Sequence, residues 1–174
     1  MMIEVQNINE EPLPTTSDDL FKVLKSLDIH YKLYEHEPVF TVAESEALDR
    51  DIEGTPCRNL FVRDKKKRSF LIVVANETAV DLKKTQDLLE CGRLSFGSAE
   101  RLWQMLGIRP GSVNPFTVLN DAEHKVQVVL DGVIMRSSLM NVHPMDNAMT
   151  ISLAPEDLMR FLEHSGHEPI VLDF

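Results

Sequence analysis

The sequence predicts a single α+β domain built on a central mixed β-sheet flanked by helices. Three observations lead there. The chain has 174 residues, 43% of them hydrophobic, enough to enclose one sizeable core. Strand-like and helix-like segments are interspersed irregularly, which fits a mixed sheet better than a regular strand–helix–strand series. Residues 54–75, GTPCRNLFVRDKKKRSFLIVVA, read as a loop (GTPCRN), a short strand (LFV), a charged turn and a longer apolar strand. From Phe70 to Ala75 that second strand has no polar residue, so it is expected to be covered on both faces and central to the sheet.

The other elements follow in chain order. Residues 1–15 are acidic and polar with Pro12 and Pro14, and read as a flexible arm rather than a signal or transit peptide. From Ser17, Leu20, Phe21, Leu24 and Leu27 share one helical face, with Thr16 or Ser17 as N-cap and acids in the first turn. HYKLYEH alternates as a strand does, and Thr41 with Glu44 forms a capping box that opens a short helix through Leu48. DLKKTQDLLE is a helix with Gly92 as its stop, and RLSFG a brief strand. Ser98 caps a helix that Gly107 ends, and residues 107–116 are a turn-rich loop. VQVVLDG is a strand, and strand signals from Val133 to Leu153 are weaker and interrupted by HPMDN. Pro155 opens a last helix on a poor N-cap, Ala154, and PIVLDF is a terminal strand.

The totals exclude several classes. No run approaches the roughly 18 apolar residues that cross a bilayer. Two cysteines, Cys57 and Cys91, make no disulfide framework and suit a reducing cytosol. With 18 basic and 28 acidic residues the net charge is −10, which disfavours broad charge-driven nucleic-acid binding but leaves room for one basic patch. No spaced ligand set for a metal is legible, and HSGH (His164, His167) reads as surface. No cofactor is expected.

Four stretches carry chemistry-bearing residues. Arg63, Lys65, Lys66, Lys67 and Arg68 form a basic turn, either a solvated hairpin tip or a contact for a phosphate backbone. Residues 107–116, GIRPGSVNPF, hold two glycines and two prolines, and are either a connector or a tight loop whose amides converge on a carbonyl or anion. NVHPMDNAMT carries His143, Asn147 and Thr150, with His143 either structural or aimed into a cleft by the following proline. Cys57 beside Arg58 suggests a lowered thiol pKa, though no histidine is near it in sequence. A serine triad is not legible.

The order of three of these stretches resembles a known family. GTPCRNLFVRDKKKRSFLIVV, GIRPGSVNPFTVLND and HPMDNAMTISLAPEDLMRFLEHSGHEPIVLDF, with the flank YEHEPVFTVAESEAL, are similar to the YbaK/prolyl-tRNA-synthetase-associated editing domains. Within them the free-standing Ala-tRNA(Pro) deacylases match best. The likeness covers residues 17–174, so the implied organisation is an arm at 1–15 and one editing domain at 16–174. It implies a trans-editing hydrolase that removes a wrong amino acid, alanine foremost, from tRNA(Pro) by water attack on the aminoacyl ester. The implied partners are the 3′ end of aminoacyl-tRNA and prolyl-tRNA synthetase, with no metal and no membrane, in the cytoplasm, as monomer or homodimer. Editing suits this task, because a pocket sized for proline rejects a smaller alanine weakly.

The resemblance also implies roles. Arg58, Asn59 and Gly111 fall at catalytic positions. Gly111, Ser112, Val113, Asn114 and Pro115 form the loop whose amides orient the aminoacyl carbonyl, and His143 with Asn147 shapes the amino-acid pocket. The basic turn would contact tRNA phosphates. Where the family carries lysine before the asparagine, this chain has Arg58, which keeps the charge but is planar and does not give up a proton. That departure keeps two alternatives open: a binding relative that has lost hydrolysis, and a deacylase for another small group such as cysteine.

Overall fold

The computed structural model describes residues 11–39 and 41–174. Part of the expected arm, residues 1–10, and Phe40 of the flank lie outside the described residues. Within residues 11–15, Leu13 packs against the core and the Thr15 hydroxyl donates to Asn120 Oδ1 at 2.6 Å.

In order the chain forms α1 (Ser17–Ser26), β1 (Lys32–Glu35), α2 (Val42–Asp51), β2 (Thr55–Arg63) and β3 (Ser69–Ala75). It continues through α3 (Leu82–Leu88), β4 (Ser95–Phe96), α4 (Ala99–Leu106) and a 3-10 turn (Pro115–Asn120). The last part holds β5 (Val126–Asp131), α5 (Gly132–Met135), β6 (Met140–Val142), β7 (Met149–Leu153), α6 (Pro155–Ser165) and β8 (Ile170–Leu172). The capping signals worked as read except at α3, which ends at Leu88 with Leu89 as its C-cap, short of the expected stop at Gly92. Thr16 and Thr41 each close a capping box, Gly107 and Gly166 end their helices in the left-handed region, and Ala154 provides no side-chain cap.

The strands form one mixed sheet in the order β1-β7-β6-β2-β3-β5-β8, with β4 also paired to β2. β2 and β3 are the expected antiparallel hairpin, in register from Cys57↔Ala75 to Arg63↔Ser69. β3 is buried at every position and alternates between two clusters. Leu71, Val73 and Ala75 meet α1, α4 and α6 through Leu20, Leu24, Leu102, Leu106, Leu158 and Phe161. Phe70, Ile72 and Val74 face the other side, with Leu94 and, from α3, Leu82. An apolar side chain enclosed this way contributes about 1.5–3 kcal/mol, which explains the unbroken apolar run from Phe70 to Ala75.

Three local readings are corrected. The loop expected over GTPCRN is strand from Thr55 onward. α2 runs past Leu48 to Asp51. A short helix, α5, appears after β5 because the Asp131 side chain accepts from Val133 N at 3.0 Å and caps it.

Candidate active site

The site begins where two strands separate. β2 and β6 run parallel and pair only at Thr55↔Met140 and Pro56↔Asn141. Further along, β6 stays with β7 while the C-terminal end of β2 turns to β4 through Val62↔Phe96. Into the resulting gap open Cys57 and Asn59 from β2, Asn141 and Val142 from β6, and His143 and Thr150 beyond them. The cavity is narrow, about 40 Å³. Beside it lies a wide groove of about 850 Å³, lined by Arg58, Glu77 and Thr78 and by Glu46 and Arg50 of α2. Ser45, Asp49, Pro56 and Asn76 belong to both walls, so crevice and groove adjoin.

Two buried polar atoms in the crevice have no partner among the described residues: the acceptor Asn59 Oδ1 and the donor Asn141 Nδ2. Ser152 Oγ donates to Asn141 Oδ1, and Ser152 Oγ also reaches Glu53 O at 3.0 Å, so the amide is held from behind. Gly54 has φ +125°, and a side chain there would collide with the Asn141 amide. Orphaned buried donors and acceptors are costly, and both residues line one crevice, where a ligand would complete their bonds.

His143 is half-buried and neutral in character. Burial lowers its pKa from the ordinary 6.5, with His36 nearby adding to the effect against the Met149 carbonyl, which raises it. Its Nδ1 lies 2.7 Å from Met149 O; a carbonyl only accepts, so Nδ1 carries the proton and Nε2 is left as an acceptor. Asn147 Nδ2 reaches Val39 O, another wall residue, at 3.5 Å.

Arg58 is tied to its own protein. Nη1 donates to Ala75 O (3.1 Å) and Asn76 O (2.8 Å), and Nη2 donates to Thr78 O (2.6 Å). The guanidinium thereby clamps the turn after β3, keeping two of its five N–H groups for other use. Cys57 is corrected: burial pushes its thiol up to about 12, the opposite of an activated nucleophile.

The glycine loop sits elsewhere. Gly111, at φ +92°, is exposed with open space around it, and Ser112 lines a separate cleft of about 450 Å³ with Met145, Asp146 and Met149. Asn114 is fully buried; its Oδ1 accepts from Phe116 N at 3.0 Å and its Nδ2 approaches Met145 Sδ at 3.5 Å. Pro115 opens the 3-10 turn, and Val113 packs against the core. The loop thus braces the segment that carries His143 from behind, while the crevice walls come from β2, β6 and α2.

The basic turn caps the far end of β2, roughly 16 Å from Arg58 to Arg63 at about 3.3 Å per residue. Buried Asp64 organises it, accepting from Lys66 N (3.0 Å), Arg68 N (2.9 Å) and Arg68 Nε (2.8 Å). Burial opposes the charge on Asp64, yet these donors and Gly92 N outweigh it and hold its carboxyl below the usual range. Lys65, Lys66 and Lys67 are exposed, and Phe96 of β4, 64% exposed, lies alongside. His167 is also corrected: it is buried, with Nε2 2.9 Å from Asp121 Oδ2, while His164 is exposed as expected.

Sequence reasoning missed Asp49, Asn76 and Asn141. The charges of α2 look like a solvated face, and Asn141 sits in a short, otherwise apolar strand. The one available signal was a polar residue at a position whose neighbours, Met140 and Val142, are both buried.

Residues 36–161 match the aminoacyl-tRNA editing domain. The chain belongs to that family. This editing domain is 41% identical over 145 residues to the prolyl-tRNA editing protein ProX of Acetoanaerobium sticklandii, covering 83% of this chain and 88% of that protein. It is 34% identical over 158 residues to prolyl-tRNA synthetase associated domain-containing protein 1 of Danio rerio, covering 90% of this chain and 86% of the relative. The crystal structure of the hypothetical protein APE2540 superposes with a TM-score of 0.71 at 17% identity, over 88% of this chain and 97% of that one, a likeness of fold. The expected family and α+β fold class are borne out. An editing domain takes aminoacyl-tRNA as its class of substrate, and among the described residues no helix is long and apolar enough to cross a membrane.

Proposed function

We propose that this editing domain is a trans-acting hydrolase that clears alanine from mischarged tRNA(Pro), in the cytoplasm where prolyl-tRNA synthetase charges that tRNA. The observation that carries the reading is the pair of unpartnered atoms in the crevice. Asn59 Oδ1 accepts the α-ammonium of the aminoacyl group, and Asn141 Nδ2 donates to the ester carbonyl and then to the oxyanion that develops on it. A cavity of about 40 Å³ suits a methyl side chain and leaves little room for a proline ring. Neutral His143 closes that pocket without repelling the ammonium. The wider groove takes the terminal adenosine, with the remaining N–H groups of Arg58 turned to its phosphate or ribose. Water attacks the carbonyl carbon, the bond to the ribose oxygen breaks, and alanine leaves.

A second reading has its own observation. Because Arg58 is spent on three backbone carbonyls, it has a structural occupation that a catalytic group would not need, which favours a binding relative without turnover. Deacylation of Ala-tRNA(Pro), with Pro-, Cys- and Ser-tRNA(Pro) beside it, separates the two. Fast loss of alanine alone is expected. Loss of cysteine instead keeps the chemistry and moves the specificity, and bound but stable Ala-tRNA(Pro) replaces the hydrolase reading with the binding one.

A further inference from the structure

We infer that Thr150 is a second acceptor for the α-ammonium of the aminoacyl group, and that His36 holds the Thr150 hydroxyl in its accepting orientation. The inference rests on the hydrolase reading above and adds to it one residue of β7 and one that follows β1. Along β7, Ile151 and Leu153 enter the core, while Thr150 and Ser152 share the opposite face and are buried there. Ser152 reaches the Asn141 amide, and Thr150 lines the crevice itself, together with Asn59. A buried hydroxyl on that wall meets whatever the crevice holds.

The direction of that hydroxyl is fixed from behind. His36 Nδ1 lies 2.8 Å from Glu37 O, and Nε2 lies 2.8 Å from Thr150 Oγ1. A carbonyl only accepts, so Nδ1 carries the proton of the neutral ring and Nε2 is an acceptor. The Thr150 hydroxyl therefore donates its single proton to His36, and it accepts from no group among the described residues. Its lone pairs are left to the crevice. His36 is itself held in place, since its N donates to Ala148 O at 2.9 Å and continues the pairing of β1 with β7. An ammonium brings three N–H donors, of which Asn59 Oδ1 takes one and Thr150 Oγ1 a second. Two acceptors in a cavity of about 40 Å³ favour a group that is small and donates more than once. A hydroxyl in place of the ammonium has one proton to give, carries no charge and leaves one acceptor unpaired. Thr150 is a substrate-binding residue in this scheme, and His36 a positioning residue.

The test compares Ala-tRNA(Pro) with its lactyl counterpart, in which a hydroxyl replaces the ammonium. Thr150→Val keeps the shape of the side chain and removes the acceptor, and Thr150→Ala repeats the removal with different packing. In both, kcat/KM for the alanyl ester is expected to fall about 10–100-fold, the range of one hydrogen bond to a charged group, while the lactyl ester changes by about threefold or less. Thr150→Ser should restore the preference for alanyl. His36→Phe, which frees the hydroxyl proton to turn into the crevice, should lower that preference several-fold with Thr150 still present. A merely structural Thr150 would lower both esters together, so equal losses on the two in the folded variants overturn the acceptor role. An unchanged preference in His36→Phe overturns the positioning role. Wild-type protein inert on every charged tRNA overturns the hydrolase reading alone. Thr150 is then judged by the same ratio in the affinities of amide-linked alanyl and lactyl adenosines, which bind without turnover.

Discussion

The guanidinium of Arg58 lies 2.8 Å from the carbonyl oxygen of Asn76, eighteen residues on, and through that contact β2 fixes the turn that follows β3. With the bonds to Ala75 O and Thr78 O, three carbonyls converge on one cation. Hydrogen bonds from a charged donor contribute about 1.5–3 kcal/mol each in favourable cases, and less where water competes, as at this half-buried site. Arg58→Ala is therefore expected to cost about 2 kcal/mol in urea denaturation and to lower deacylation at least tenfold as Asn76 loses its position. Arg58→Lys, with a single rotatable ammonium, should recover part of the stability. Unchanged stability in Arg58→Ala would show that the turn holds without its clamp.

His143 gives the protein a pH-dependent stability with a definite sign. Its folded pKa is lowered, so the folded state favours the neutral ring. As pH falls below the ordinary 6.5, the unfolded chain takes up a proton that the folded one resists, and stability declines until the lowered folded value is reached. His143→Gln should flatten that part of the curve relative to wild type while leaving the region above pH 7.5 unaltered. Midpoints measured from pH 5 to 8 for both proteins check this; equal slopes would mean the ring charges as readily in the fold as out of it.

Much of this architecture was legible because it follows from local signals. The capping boxes at Thr16 and Thr41, the glycine stops at Gly107 and Gly166 and the apolar run Phe70–Ala75 of β3 are each decided by nearby residues. The start of β2 was misread because Cys57, Arg58 and Asn59 have a loop's polarity; they are polar since that stretch of strand walls a cavity. His167 looked like surface because its partner, Asp121, is 46 residues away, and Asn141 was invisible until β6 was seen to diverge from β2. Long-range pairing and strand divergence leave little trace in a single sequence.

Cys57 should be chemically inert. Burial is the main cause of a thiol pKa near 12, helped by Asp131 and Asp49, and outweighs the lowering by the Asn141 backbone. At pH 8 almost no thiolate forms, so iodoacetamide is expected to modify Cys91 well before Cys57 in the folded protein, and both together after denaturation. Peptide mapping over time would show it. Rapid labelling of Cys57 in the native state would reverse this reading of the crevice.

The buried contact between His167 and Asp121 should matter for stability and not for chemistry. It ties the segment after α6 to the entry of β5, where Asp121 also accepts from Lys125 N and Val126 N at 3.0 and 2.8 Å. Removing the imidazole takes one of two partners from a buried carboxylate oxygen, Val126 N remaining, so His167→Ala is expected to cost about 2 kcal/mol. Deacylation measured well below the unfolding midpoint should stay within twofold of wild type, because β3 and β5 separate the pair from the crevice. A loss below 1 kcal/mol would show that the surroundings collapse to cover Asp121.

The basic turn can be tested without disturbing its shape. Asp64 and Arg68 fix the tip through buried bonds in which the lysine side chains take no part, so Lys65, Lys66 and Lys67 are replaceable together by glutamine. If they meet phosphates, each loss removes roughly one unit from the slope of log affinity against log salt, about three in all. At physiological salt the triple variant should then show a raised KM for Ala-tRNA(Pro) with kcat and unfolding midpoint unchanged. Phe96→Ala supplies an independent check: a nucleobase stacked on that exposed ring would weaken binding by about 1–3 kcal/mol on its removal. Should both variants bind tRNA as wild type does at every salt concentration, the tip is a solvated hairpin end, and the acceptor stem is held by another face.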